Sequence, residues 1–143
     1  MSDPAVLEAL NRLLRVLYRS LPMYLAEGQP WTGRRDDPAE ETMRNVVADQ
    51  REMSVRIADF VMDNRGIVDD GDFPMEFTDL NFLSLDALLP RLQEYQREDV
   101  ATIEHVIAWL PPDEPEALAL AQEALGQERA HLEMLEHAQP VAV

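Results

Sequence analysis

Three absences narrow this sequence before any motif is read. There is no cysteine, which removes disulfides and thiolate metal sites together. There is no lysine: all 12 basic residues are arginine, a uniformity we attribute to genomic composition rather than to function. No apolar run is long enough to cross a bilayer, and Met1-Ser2-Asp3-Pro4 has neither a basic start nor a signal-like apolar block. The expectation is a cytoplasmic chain that does not enter a membrane. Glycine is scarce, 5 in 143 residues, and no glycine-rich loop stands where a phosphate could be cradled. Nor is there a motif for nucleophilic catalysis.

Positive charge is also short. Against 28 acids the 12 arginines leave a net charge of −16. A nucleic-acid backbone would be repelled, so nucleic acid is not an expected partner. The acidity reads first as a solvated surface and second as a means of attracting cations. With 46% apolar residues over 143 positions, residues 1–143 suit a single domain with a real core.

What is present is helical periodicity. From about Pro4 to Ala26, Leu7, Leu10, Leu14, Leu17, Leu21 and Tyr24 recur at three and four, one stripe of a helix opened by Asp3-Pro4. Pro22 should either kink its last turn or end it near Ser20 with a short continuation, and Gly28 is a plausible stop. Residues 27–36, with Trp31, read as a loop. Asp37-Pro38 then opens a second helix. Its stripe is Met43, Val46, Gln50, Met53, Ile57, Phe60 and Val61, with Asp49, Glu52, Arg56, Asp59 and Asp63 on the polar face. It should stop at Asn64-Arg65-Gly66.

The link from Gly66 to Leu83 is the longest. Phe73, Met75 and Phe77 alternate as in an extended chain and Phe82 follows, a segment expected on the surface or against a partner. At roughly 3.3 Å per residue it can run the length of a helix. A third helix, about Ser84 to Leu110, carries Leu85, Leu88, Leu92, Gln96, Asp99, Ile103, Val106 and Leu110. A fourth runs from Pro115 to about His137. Met23, Met43, Met53, Met62 and Met134 are taken as core gap-fillers; His105 and His137 fall on exposed faces. The fold expected is all-α: a four-helix up-down bundle with one long crossover between helices two and three.

The stretch that carries chemistry is Glu128-Arg129-Ala130-His131, the one Glu-x-x-His on an apolar stripe. Residues three apart share a helix face, so both side chains should point inward beside Leu125, Leu132 and Leu135. An internal echo accompanies them. Thirty-two residues separate Tyr18 from Gln50, and again Gln96 from Glu128. Each half of the chain is then a helical hairpin with two inward polar positions at matching depth.

On these residues the chain resembles the ferritin-like superfamily, which includes bacterioferritin and rubrerythrin, and within it small bacterial proteins of incomplete di-iron site. Glu128 and His131 match the family's metal-binding Glu-x-x-His. The resemblance implies an inward glutamate on helix one, where Leu17 or Tyr18 stands. It implies Glu-x-x-His on helix two, where Gln50 and Met53 stand. It implies a glutamate on helix three, where Gln96 stands with Asp99 one turn on. A neutral amide brings no charge to offset divalent cations.

Glu128, His131 and Asp99 are therefore the candidate ligands for iron or another divalent metal. Gln50, Gln96 and Tyr18 are the expected partners in a buried polar network. The function expected is a non-catalytic, dimeric binding or structural module. The alternative is an oxidoreductase handling iron or peroxide, which would call for Asp49 or Glu52 to turn inward. A protein partner is expected to meet Phe73, Met75, Phe77 and Phe82.

Overall fold

The structure is a computed structural model that describes residues 3–28, 38–81 and 83–138. Trp31, the Asp37 cap and Phe82 lie outside the described residues. The chain is all-helical, with no strand among the described residues. Five α-helices are present there, α1 (Pro4–Tyr18), α2 (Leu21–Gly28), α3 (Pro38–Asp63), α4 (Leu85–Trp109) and α5 (Pro115–His137), with a 3-10 helix at Met75–Leu80. None of these helices is long and apolar enough to cross a membrane.

Of the two outcomes open at Pro22, the second occurs. α1 opens with the Asp3 carboxylate accepting from Ala5 N (2.8 Å), and it closes at Tyr18. The chain turns at Arg19 and Ser20 and restarts at Leu21. The Ser20 hydroxyl accepts from Met23 N (3.3 Å), capping the new helix three residues in. Pro22 falls in the first turn, where a missing N–H costs nothing.

α1 packs on α3 and α4, and α5 packs on the same two helices. The apolar interior has two parts. One gathers Val6 to Leu17 of α1, Met53 to Val61 of α3, Ile103 to Leu110 and Ala117 to Ala124. The other gathers Leu21 and Leu25, Ala39 and Met43, Phe77 and Leu80, Leu88 to Leu92, and Leu135. Each long helix therefore passes from one part to the other. α3 and α4 leave the second for the first; α5, like α1 followed by α2, goes the opposite way. Between the parts, at the middle of each path, sit the buried polar residues Ser20, Gln50, Gln96, Glu128 and His131.

The long link makes the corresponding journey, from the end of α3 in the first part to α4 in the second, strapped along α1. Asn11 donates to the Ile67 carbonyl (2.9 Å) and accepts from Asp69 N (2.9 Å). Arg15 pairs with Asp69 (3.3 Å). Arg19 Nε donates to the carbonyls of Asp70 (3.1 Å) and Gly71 (2.9 Å), and its guanidinium lies 4.8 Å from the centre of the Phe73 ring. The alternation over Phe73–Phe77 predicts extended chain, and this is corrected: Met75 begins a 3-10 turn. The turn buries Phe77 among the chain's own aromatics, 5.5 Å from Tyr24 and 5.2 Å from Tyr95. Phe73 packs edge-on to Tyr24 at 5.2 Å, and Met75 stays 87% exposed. Met62, expected in the core, is exposed as well.

α3 ends in a left-handed cap at the expected Asn64-Arg65-Gly66 stop. Gly66 N bonds to Val61 O (2.8 Å) and Arg65 N to Met62 O (3.0 Å), the paired closure of a Schellman motif. The residue at positive φ is Arg65, at 63°. Gly66 serves close approach instead: a Cβ there would lie 2.9 Å from Val61 Cγ1 and 3.0 Å from Leu7 Cδ1. Left-handed backbone costs a non-glycine residue about 1 kcal/mol. Arg65→Gly should therefore raise stability by about that amount, and Gly66→Ala should lower it. Urea midpoints of the two variants against the parent check both signs.

Candidate functional site

Glu128 is the centre of the polar layer, 1% exposed. A buried carboxylate is tolerated only with donors around it, and α3 and α4 each supply one. Gln50 Nε2 donates to Glu128 Oε1 (3.0 Å). Gln96 Nε2 donates to Glu128 Oε2 in a very close contact, and to the Glu128 backbone carbonyl (3.0 Å). The Gln50 amide is held at both ends, by Ser20 at its oxygen and Glu128 at its nitrogen. Ser20 Oγ donates to its Oε1 (2.7 Å), which turns its NH2 toward Glu128. Ser54 Oγ donates to its backbone carbonyl (2.7 Å).

His131, 2% exposed and one turn beyond Glu128, links this carboxylate to the surface. Its Nδ1 lies 3.3 Å from Glu128 Oε2, and its Nε2 lies 2.8 Å from Asp49 Oδ2. Burial alone would lower the imidazole pKa. Hydrogen bonding and charge from Glu128 and Asp49 together outweigh it, so the pKa is raised above 6.5. As imidazolium the ring donates to both carboxylates. Asp49, assigned from the sequence to the polar face, is half-exposed yet reaches the site. Glu52 stays exposed.

Asp99 lies on the α4 stripe one turn beyond Gln96. Burial, and then the negative charge of Glu128 and Glu98, hold its carboxyl well above the usual carboxylate range. Tyr18 stands apart from the network. It is half-buried, with the Arg19 guanidinium 4.8 Å from its ring centre, and it lines a separate cleft with Leu14, Met23 and Val55. Ser20, two residues on, joins the network through Gln50 in the place where Tyr18 is the expected member. Met53, opposite His131 in the internal echo, is plain core at 1% exposed.

A dinuclear metal centre does not fit these donors. Two of the inward groups are amides whose NH2 ends face the central carboxylate, and an NH2 is not a metal ligand. Among the described residues no three His, Asp or Glu side chains gather to hold a metal ion. Comparison with protein-family models, curated proteins and solved structures finds no match, so the site is read from its own chemistry.

Two outcomes follow. Gln96→Leu should cost about 2 kcal/mol, because it strips a donor from a buried charge. Glu128→Gln made in the same chain should recover part of that loss, since the charge needing the donor has gone; urea unfolding of the four-member cycle measures the coupling.

The second concerns pH. The His131 contribution is complete below its ordinary value of 6.5 and is lost as pH rises through the higher folded value. Asp99 acts in the same direction. The folded state holds its proton more tightly than the unfolded chain, so stability falls as pH rises from the usual carboxyl range through the raised value. Stability should therefore be greater on the acid side of neutrality. Asp99→Asn should stabilise the chain at pH ~7 and flatten the pH slope, as read from melting temperatures across the range.

Proposed function

We propose that this chain is a ferritin-like four-helix bundle in which a hydrogen-bonded carboxylate occupies the place of a metal centre. It serves as a structural or binding module rather than as an oxidase. The observation that carries this reading is the occupation of Glu128: both carboxylate oxygens are taken by amide donors from α3 and α4 and by His131. Those donors supply the positive partial charge that cations would otherwise supply. The order in which the helices pass between the two apolar parts, with a strap crossing from one to the other, supports a ferritin-like connection between α3 and α4. Exposed Met75, Ile67 and Trp109 support a role exerted through contacts with a second copy or another protein.

One observation favours a second reading. Metal-binding histidines usually present one nitrogen to the ion and donate the other to a carboxylate. Asp49 on His131 Nε2 has that arrangement, leaving Nδ1 turned toward Glu128. A single divalent ion held by Glu128 and His131 would be the product.

Elemental analysis separates the two. The parent and His131→Ala are reconstituted with iron, manganese, zinc and copper in turn, beside a Gln50→Glu/Gln96→Glu variant. The proposal expects no stoichiometric metal in the parent and about one or two equivalents in the glutamate variant, whose carboxylates would need cations. One equivalent in the parent that disappears in His131→Ala would establish the second reading. No metal in the glutamate variant would remove the ferritin-like interpretation of the site.

A further inference from the structure

The outer face of α3 carries apolar side chains that nothing in the chain covers. Val55 is 60% exposed and Met62, two turns on, is 55% exposed. Ala48, two turns before Val55, is exposed as well, and Ala58 between the larger pair is half-buried. Residues at this spacing share one side of a helix. The apolar row therefore lies opposite the face that α3 gives to the core.

Two unanswered charges frame the row. Arg51 stands one turn before Val55 and Asp59 one turn after it, both exposed. Neither has an ion pair or hydrogen bond among the described residues. The other arginines of α3 are engaged within the chain, Arg44 by Glu40 (3.2 Å) and Arg56 by Glu123 (2.7 Å). Arg51 has no such choice on its own helix: three and four residues away stand Val47, Ala48, Ser54 and Val55. Asp59 has Arg56 three residues before it, but both terminal nitrogens of Arg56 donate to Glu123 (2.8 and 2.7 Å).

Arg51, Val55 and Asp59 form one ridge of residues four apart, and such ridges interlock where helices cross at about 50°. This ridge is complementary to itself. A two-fold axis through Val55 lays Arg51 of each copy against Asp59 of the other and Met62 of each against Ala48 of the other. A basic partner would leave Arg51 opposed, and an acidic one would leave Asp59 opposed. A second copy answers both. On the α1 side the crossing helix would pass over the cleft lined by Leu14, Tyr18, Ala58 and Val68, which adds apolar area. We propose that two copies of this chain pair through α3, crossing at Val55 with reciprocal Arg51–Asp59 ion pairs. The pairing rests on the second-copy role put forward above and gives it a surface; nothing in it depends on how Glu128 is satisfied.

Sedimentation of the full chain over a concentration series tests this. The expected result is a monomer–dimer equilibrium in the micromolar range. Arg51→Glu and Asp59→Arg should each weaken the dimer at least ~10-fold, and the two together should restore it to within ~3-fold of the parent. Asp59→Arg makes the chain less negative, so weakening there is not diffuse repulsion. Both side chains are exposed, so neither change threatens the fold. The chain has no cysteine, so Val55→Cys places a single thiol beside the axis. It should close to a disulfide between copies under mild oxidation, faster than Met75→Cys or Trp109→Cys. A chain that stays monomeric at millimolar concentration overturns this surface and the second-copy role together. A dimer that ignores both charge reversals, or that cross-links through position 75 or 109 in preference to 55, overturns this surface and leaves the role standing.

Discussion

One buried negative charge organises this molecule. A carboxylate at 1% exposure costs several kcal/mol to desolvate and must be surrounded by donors at fixed distances. Each donor sits on a different element, so satisfying Glu128 fixes the axial position of several helices at once. Gln50 fixes α3 against α5, Gln96 fixes α4 against α5, and Ser20 fixes the α1–α2 junction against α3. A slide of any one of these helices by a turn, about 5.4 Å, would break the bonds it makes to the layer, whereas Leu-on-Leu packing in either apolar part would tolerate substitution by another aliphatic neighbour. The layer thus specifies register where the apolar parts mainly supply cohesion.

The break between α1 and α2 belongs to the same constraint. A continuous helix through Ser20 would have its hydroxyl compete for the preceding turn's carbonyls. With the helix interrupted, the hydroxyl accepts from Met23 N and donates to Gln50 Oε1 (2.7 Å). One hydroxyl group caps α2 and orients the amide that serves Glu128. Pro22, which looks like a defect in the first stripe, fits the first turn of the restarted helix and helps keep the interruption in place.

How much of this could be read from the sequence follows from which residues lie on a stripe. Gln50, Gln96, Glu128 and His131 recur with the apolar residues of their helices, and all four are buried and joined, as the three-and-four spacing implies. Asp49 was hidden because it is one position from Gln50, about 100° around the helix. Its inward turn depends on His131 arriving from α5, a fact of tertiary structure. Ser20 was hidden for a related reason: its role follows from a helix end, and the stripe appeared to continue through Leu21 and Tyr24. In the strap, the alternation of Phe73, Met75 and Phe77 fits a strand, whereas the 3-10 turn buries residues three apart, Phe77 and Leu80; the contacts of Phe73 with Tyr24 and of Phe77 with Tyr95 are tertiary and leave no such mark in the sequence.

The two glutamines bear most directly on what the layer can do. With glutamate at 50 and 96, three carboxylates would share one low-dielectric site with a single imidazolium, and only bound cations or taken-up protons could offset the excess. With glutamine, each side chain keeps its length and planar head but contributes a donor in place of a charge. The remaining carboxylate is then answered by groups the chain itself provides. A metal entering such a layer would have to displace the amide and imidazole bonds that already answer Glu128. Asp99, one turn beyond Gln96 on α4, stands outside this arrangement. Its carboxyl still feels the charge of Glu128 and has no donor from α3 or α5.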